Sequence, residues 1–194
     1  MAKPESDMSN KAPTSEHPLQ RLLRERIVII DGAMGTTIRT YGLGEKEIRG
    51  ERFADSKKDL KNNGDLYSLT QAATICDIHR RFLEAGADII ETNTFSATSI
   101  GQSEFFVDDP REHGGRKDPA FYQKIIEDKS LNDLAWEINE TSARQCREWA
   151  DRVANADGKP RFVAATRSAY TPSERSRCAA NSTVSPPAPP TPSP

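Results

Sequence analysis

The sequence predicts an α/β fold, a parallel sheet with helices packed outside it, from three observations. An unbroken apolar run, Ile27-Val28-Ile29-Ile30, suits a strand buried on both faces. An apolar stripe at helical spacing between 69 and 85 leads through Gly86 into a second short strand, residues 87–90. A second long helical stretch, residues 131–154, leads to a third strand candidate at 161–165. Strands alternating with helices in this order read as successive βα units, which favour a parallel sheet.

Each element has its own warrant. Residues 1–17 are polar and read as a disordered tail, and 18–25 (PLQRLLRE) as a short helix entering the first strand. Residues 39–63 are charged and Gly-bearing, and read as a long loop. In the 69–85 helix, Ala72, Ile75, Cys76, His79, Phe82 and Leu83 recur three and four apart, and Gly86 stands where a left-handed residue ends a helix. The stretch 101–123, rich in Gly, Asp and Pro, reads as an irregular insertion, placed at about 103–125. In the following helix Leu131, Leu134, Ala135, Ile138, Trp149, Ala150 and Val153 fall mostly on one face. From Thr166 to 194 the chain has no period, and seven of its 13 prolines lie beyond residue 170. That composition buries too little apolar surface to offset the entropy of ordering, so 166–194 reads as a Pro/Ser-rich disordered tail. The expected domain is therefore 18–165.

Composition narrows the function. The 194 residues carry a formal net charge of −2, which gives no reason to expect a nucleic acid or an anionic membrane as partner. No apolar run approaches the roughly 18 residues of a membrane span. The N-terminus lacks the apolar core of a secretory signal. Three scattered cysteines (Cys76, Cys146, Cys178) form neither a disulfide framework nor a metal knuckle, and a cytoplasmic location is expected. Cys76 and His79 could ligate a metal from one helix, but both lie in the apolar stripe, and a core histidine beside a buried thiol is the preferred reading.

Two strand ends carry acids, Asp31 and Glu91. In parallel α/β folds ligands bind at the carboxyl ends of the strands, where the βα loops gather. A carboxylate there holds an ammonium by a charge-assisted hydrogen bond. The turn Gly32-Ala33-Met34-Gly35 lets backbone approach closely and offers N–H groups to a carboxylate. Together they suit a zwitterion, an amino acid. An Asp before a Gly also serves as a plain turn or cap, and the second acid is what favours binding. A dinucleotide site would need G-x-G-x-x-G opening into a helix; only G-x-x-G is present, and the text after it reads as loop.

Five segments carry a resemblance: RIVIIDGAMGTTI (26–38), RGERFAD (49–55), DLYSLTQ (65–71), IHRRFLEAGADIIETNTFSATSIGQ (78–102) and EINETSAR (137–144). They resemble the homocysteine-binding domain of the cobalamin-dependent methionine synthases, within the homocysteine S-methyltransferases, over about residues 19–165. DGAMGT and ETNTF are shared across the wider family, whereas RGERF and TSIGQ look specific to the cobalamin-dependent branch. The resemblance implies a (β/α)8 barrel of which this chain carries the first strands and helices, and homocysteine as the bound substrate. By the same resemblance Asp31 lies near the substrate amino group, Gly32, Ala33, Met34 and Gly35 form its backbone loop, and Glu91, Asn93 and Thr94 form the second rim.

The complete enzymes of that branch use a zinc ion on three cysteine thiolates to activate the substrate thiol, and take the methyl group from methylcobalamin, reloaded from methyltetrahydrofolate on other domains. Those zinc cysteines sit in GxNC- and GGCCGT-like segments, and neither exists here. Neither zinc nor cobalamin is therefore expected on this chain alone. The expected partners are the missing barrel half and the folate and cobalamin domains, and the isolated chain is expected to lack turnover. A cobalamin-independent homocysteine S-methyltransferase and a non-catalytic, vestigial binding module are the alternatives. The chain departs from the branch at Asn62-Asn63-Gly64-Asp65, where Gly-Asn-Asn-Asp is usual, at Ala72, where Pro is usual, and after Ala165. That last break predicts a frameshifted, mis-spliced or mispredicted gene end.

Overall fold

A computed structural model describes residues 16–165. The two tails read as disordered lie almost wholly outside the described residues. The observed fold is a helix-rich α/β unit around a small parallel sheet. Its elements are α1 (Pro18–Glu25), α2 (Met34–Thr40), α3 (Glu45–Arg49), a 3-10 turn (Gly64–Leu66), α4 (Tyr67–Thr70), α5 (Ala72–Glu84), β1 (Ile89–Glu91), α6 (Ser99–Phe106), a second 3-10 turn (Pro110–His113), α7 (Pro119–Glu127), α8 (Lys129–Asp157) and β2 (Phe162–Ala164).

β1 and β2 pair in parallel, with Ile89 opposite Phe162, Ile90 opposite Val163 and Glu91 opposite Ala164. The expected first strand runs beside β1 but joins it by a single parallel bridge, Ile30 to Ile89. The expectation that it is buried on both faces is corrected: Ile27 is 86% exposed, Ile29 55% and Ile30 50%. The apolar run is present in sequence, yet three of its four side chains stay half exposed or more.

α5 stops where the sequence says it should. Gly86 adopts φ +107, its N–H donates to Leu83 O (3.0 Å), and the Ala87 N–H donates to Phe82 O (3.0 Å). These are the two bonds of a Schellman motif, satisfying carbonyls the helix leaves open. The α5 stripe is Ile75, Ile78, His79 and Leu83; Ala72, expected in it, is exposed at the helix start. α8 is longer than predicted because Asp128 caps its start, accepting from the Ser130 (2.8 Å) and Leu131 (3.1 Å) N–H groups, and Gly158 (φ +71) ends it.

Two stretches read as irregular are helical. The stretch 39–63 holds α3, and α2 begins inside the glycine turn itself, so a helix and not a loop follows Gly32. The supposed insertion at 103–125 carries the second half of α6, the second 3-10 turn and most of α7. The reason is capping: Asp109 and Asp118 each precede a proline at the first helical position, and their carboxylates accept the Arg111 and Phe121 N–H groups (2.9 and 2.8 Å).

Two apolar clusters hold these pieces. The larger joins Ile38, Ile48, Leu60, Leu66, Tyr67, Ile75, Ile78, Ala97 and Ile138, and so ties α2–α5 to α8. The smaller, Leu83, Ala87, Ile90, Cys146 and Ala150, seals α5 and α8 onto the sheet.

Candidate functional site

The parallel register puts the ends of the first extended segment and of β1 on one side of the molecule. Asp31 is fastened there twice. Its N–H donates to Ile89 O (2.9 Å), and its Oδ1 accepts the Glu91 N–H (2.9 Å). Burial is the main force on its carboxyl, the Glu91 N–H opposes it and the Glu91 charge adds to it, leaving Asp31 pushed up to about 6.

The turn after Asp31 is bent by Ala33, a non-glycine residue at φ +55, a conformation that costs an L-residue energy and recurs at functional rims. Gly32 and Gly35 have ordinary backbone angles, and a Cβ on either would meet nothing within 4 Å. Local packing does not require these glycines; they face open space. Met34 points the other way and packs against the larger cluster.

The second rim is built from the residues after β1. Glu91 is exposed, whereas Asn93 and Thr94 are buried. Asn93 Nδ2 donates to Gly64 O (2.8 Å) and Ser68 Oγ (3.1 Å), so the amide nitrogen braces the rim from within. Ser142 of α8 donates to Ser68 Oγ (2.7 Å) and also reaches Asn93 O (3.2 Å); Gln145 donates to Ser68 O (2.8 Å). Thr92 and Thr94 share a hydroxyl hydrogen bond of 2.8 Å. Phe95 stands 84% exposed at the lip.

Sequence reasoning missed this polar layer, along with Asp65 and Cys146. Asp65 is 4% exposed, and the Ser96 N–H donates to its Oδ2 (2.8 Å). Burial pushes its carboxyl up to about 6 against the pull of the Ser96 and Phe95 N–H groups. The buried histidine expected beside Cys76 is instead beside Cys146, 3.2 Å from His79 Nε2, while Cys76 is only half-buried. Cys146 also donates to Glu91 O (3.3 Å), which places the pair directly behind the rim. Burial holds His79 down to about 4 and pushes the Cys146 thiol well up.

The opposite end, where the strands begin, is an ion-pair lock. Arg26 grips Asp88 through both nitrogens (2.7 and 2.5 Å), Asp88 accepts the Ile29 N–H (3.0 Å), and buried Arg161 pairs with Asp157 (2.6 Å). The Arg26 hydrogen bond is the main cause that holds Asp88 below the usual carboxylate range. The hollow lined by Arg26, Asp88, Lys159 and Arg161 is here, remote from Asp31, and its acid is already neutralised.

With this geometry in hand, comparison decides the family. The model of the homocysteine S-methyltransferase family matches residues 28–183. The chain belongs to the homocysteine S-methyltransferase family. The matched span runs past Thr166, where sequence reading ended the resemblance. Among solved structures, the metallated form of the homocysteine methyltransferase MmuM from Escherichia coli aligns at 15% identity with a TM-score of 0.49, over 86% of this chain and 45% of that one. The chain thus spans less than half the length of that methyltransferase.

A homocysteine S-methyltransferase of the kind resembled above would carry zinc on three thiolates. Among the described residues no three His, Cys, Asp or Glu side chains are grouped to hold a metal. Cys146, the nearest thiol to the rim, is raised away from the thiolate form and occupied by His79 and Glu91 O. The described residues do not fit such a site. No described helix is long and apolar enough to cross a membrane.

Proposed function

We propose that this chain supplies the amino-acid-binding opening of a homocysteine methyltransferase barrel of the cobalamin-dependent methionine synthase type, with residues 18–165 forming the first βα units of a (β/α)8 fold. The observation that carries the reading is the meeting of Asp31 and Glu91 through a 2.9 Å hydrogen bond at one end of the parallel sheet. Asp31 then accepts the homocysteine ammonium, and an arriving cation favours the ionised carboxylate that burial disfavours. The Gly32–Gly35 backbone lies against open space and receives the α-carboxylate, with Asn93 and Thr94 walling the second side. The sulfur extends toward the part of the barrel that other segments complete, where zinc and the methyl donor act in the complete enzymes. RGERF and TSIGQ favour the cobalamin-dependent branch over the cobalamin-independent one. Turnover belongs to the assembled enzyme, with its second barrel half and its folate and cobalamin domains.

Calorimetric titration of the 194-residue chain with L-homocysteine and, in parallel, with desamino-homocysteine tests the reading. Binding of the first and loss of the second is expected. Equal binding of both, or binding of neither, overturns the assignment of Asp31 to the ammonium.

A further inference from the structure

The segment bearing Asn93 and Thr94 is not held by the strand that precedes it. After Glu91 the chain leaves β1; the Thr92 N–H still donates to Ala164 O (3.0 Å) and Ser142 Oγ reaches Asn93 O (3.2 Å), and the turn at 62–68 adds further bonds. Asn93 reaches Gly64 O and Ser68 Oγ, and the Ser96 N–H reaches Asp65 Oδ2 at 2.8 Å, with the Phe95 N–H turned toward the same carboxylate. Two consecutive N–H donors converging on one buried side chain call for an acceptor-only group, which among neutral and charged side chains is a carboxylate. An asparagine keeps one acceptor oxygen, exchanges the other for an NH2 group and loses the charge that strengthens both bonds. The cost of burying that charge is borne at a position whose carboxylate accepts from the backbone of the rim.

From this geometry we infer that Asp65 is a positioning residue for the amino-acid site, its carboxylate clamping Phe95 and Ser96 so that Asn93 and Thr94 stand in register with Asp31. The inference rests on the functional reading above and extends it to a residue 31 positions before Ser96.

Asp65→Asn in the 194-residue chain, compared with the unmodified chain, tests it with two readouts. Amide hydrogen exchange is expected to quicken at least tenfold at Phe95 and Ser96 while the α8 amides around Cys146 keep their protection. Homocysteine affinity is expected to fall about tenfold, with the pH dependence set by Asp31 retained. Uniform quickening across α8 marks a merely structural residue and overturns the inference, as does unchanged affinity in the variant. If the unmodified chain itself fails to bind homocysteine, the functional reading falls and takes this inference with it; equal affinity in both chains sinks the inference alone.

Discussion

The Asp31 carboxylate accepts the Glu91 N–H at 2.9 Å while the Asp31 N–H donates to Ile89 O at 2.9 Å, so one residue ties the end of the first extended segment to the end of β1. Asp31→Ala removes the proposed ammonium acceptor and is expected to weaken homocysteine binding by about 1–3 kcal/mol, the scale of a charge-assisted hydrogen bond. Calorimetry measures this directly, and an unchanged affinity removes Asp31 from the site.

Proton competition at the same carboxyl gives a second expectation. Asp31 titrates near 6 in the folded chain. Below that pH the acid is protonated and an ammonium must displace its proton. Homocysteine affinity should then fall roughly tenfold per pH unit below about pH 6 and level off above pH 7. Asp31→Asn should flatten the profile and raise the thermal midpoint by about 2–4 °C, the shift that ~1 kcal/mol produces in a chain of this size. A profile equally steep in the variant assigns the proton elsewhere.

Stability should respond to pH in a less familiar direction. Asp31 and Asp65 titrate near 6 folded against 3.8 in the reference state, so the native chain holds more protons between those values. Their contribution is complete below pH 3.8 and lost as pH rises through 6. His79, held near 4 against 6.5, acts oppositely: its contribution is complete above pH 6.5 and lost as pH falls through 4. Two acids outweigh one imidazole, so the thermal midpoint should climb modestly from pH 7 to pH 5. Circular dichroism melts at unit intervals read the slope, and a midpoint that falls steadily over that range reverses the sign.

Cys146 is fully buried between His79 and the Glu91 carbonyl. Cys146→Ala leaves a void and strips both groups of a partner, which should cost about 1–3 kcal/mol in urea unfolding. A loss under about 0.5 kcal/mol means the sulfur is not bonded as described.

Ile27, Ile29 and Ile30 form an exposed apolar ribbon on a strand edge, a template for pairing with other chains. The isolated chain is expected to self-associate. Ile27→Lys should suppress light scattering while changing stability by less than about 0.5 kcal/mol, since that side chain is 86% exposed. Monodisperse scattering for the unmodified chain contradicts this.

The regular elements were legible wherever an apolar period or a terminator marked them. Leu83, Gly86 and Ile90 announce the end of α5 and the entry to β1, and strand-end logic sets Asp31 and Glu91 at neighbouring tips, where the structure joins them by a hydrogen bond. Capping residues carried a signal that composition hid: Asp118-Pro119 opens a helix in text rich in Gly and Asp. The polar layer was hidden for a different reason. Ser142 and Gln145 occupy the buried face of α8 between Ile138 and Ala150, where hydropathy registers only a gap in the stripe. Their partners, Ser68 and Asn93, lie too far along the chain for spacing to reveal. Asp65 reads as an ordinary turn acid until Ser96 is seen against it. The burial expected of Ile27–Ile30 failed because a run of β-formers specifies a strand's preference for cover and cannot supply the cover.

The hydroxyl of Ser142 meets Ser68 and Asn93 across separations of 74 and 49 residues. Contacts that close such long loops form late, because the entropy of closure is met only after nearer pieces have set. A nascent chain can therefore hold Asp31 and Glu91 in place and still be incompetent, since the last brace of the rim arrives with α8. On the proposed reading, competence to grip a ligand is the final event of maturation, and a cut made between Glu91 and that helix would leave both acids present and their pocket unfinished.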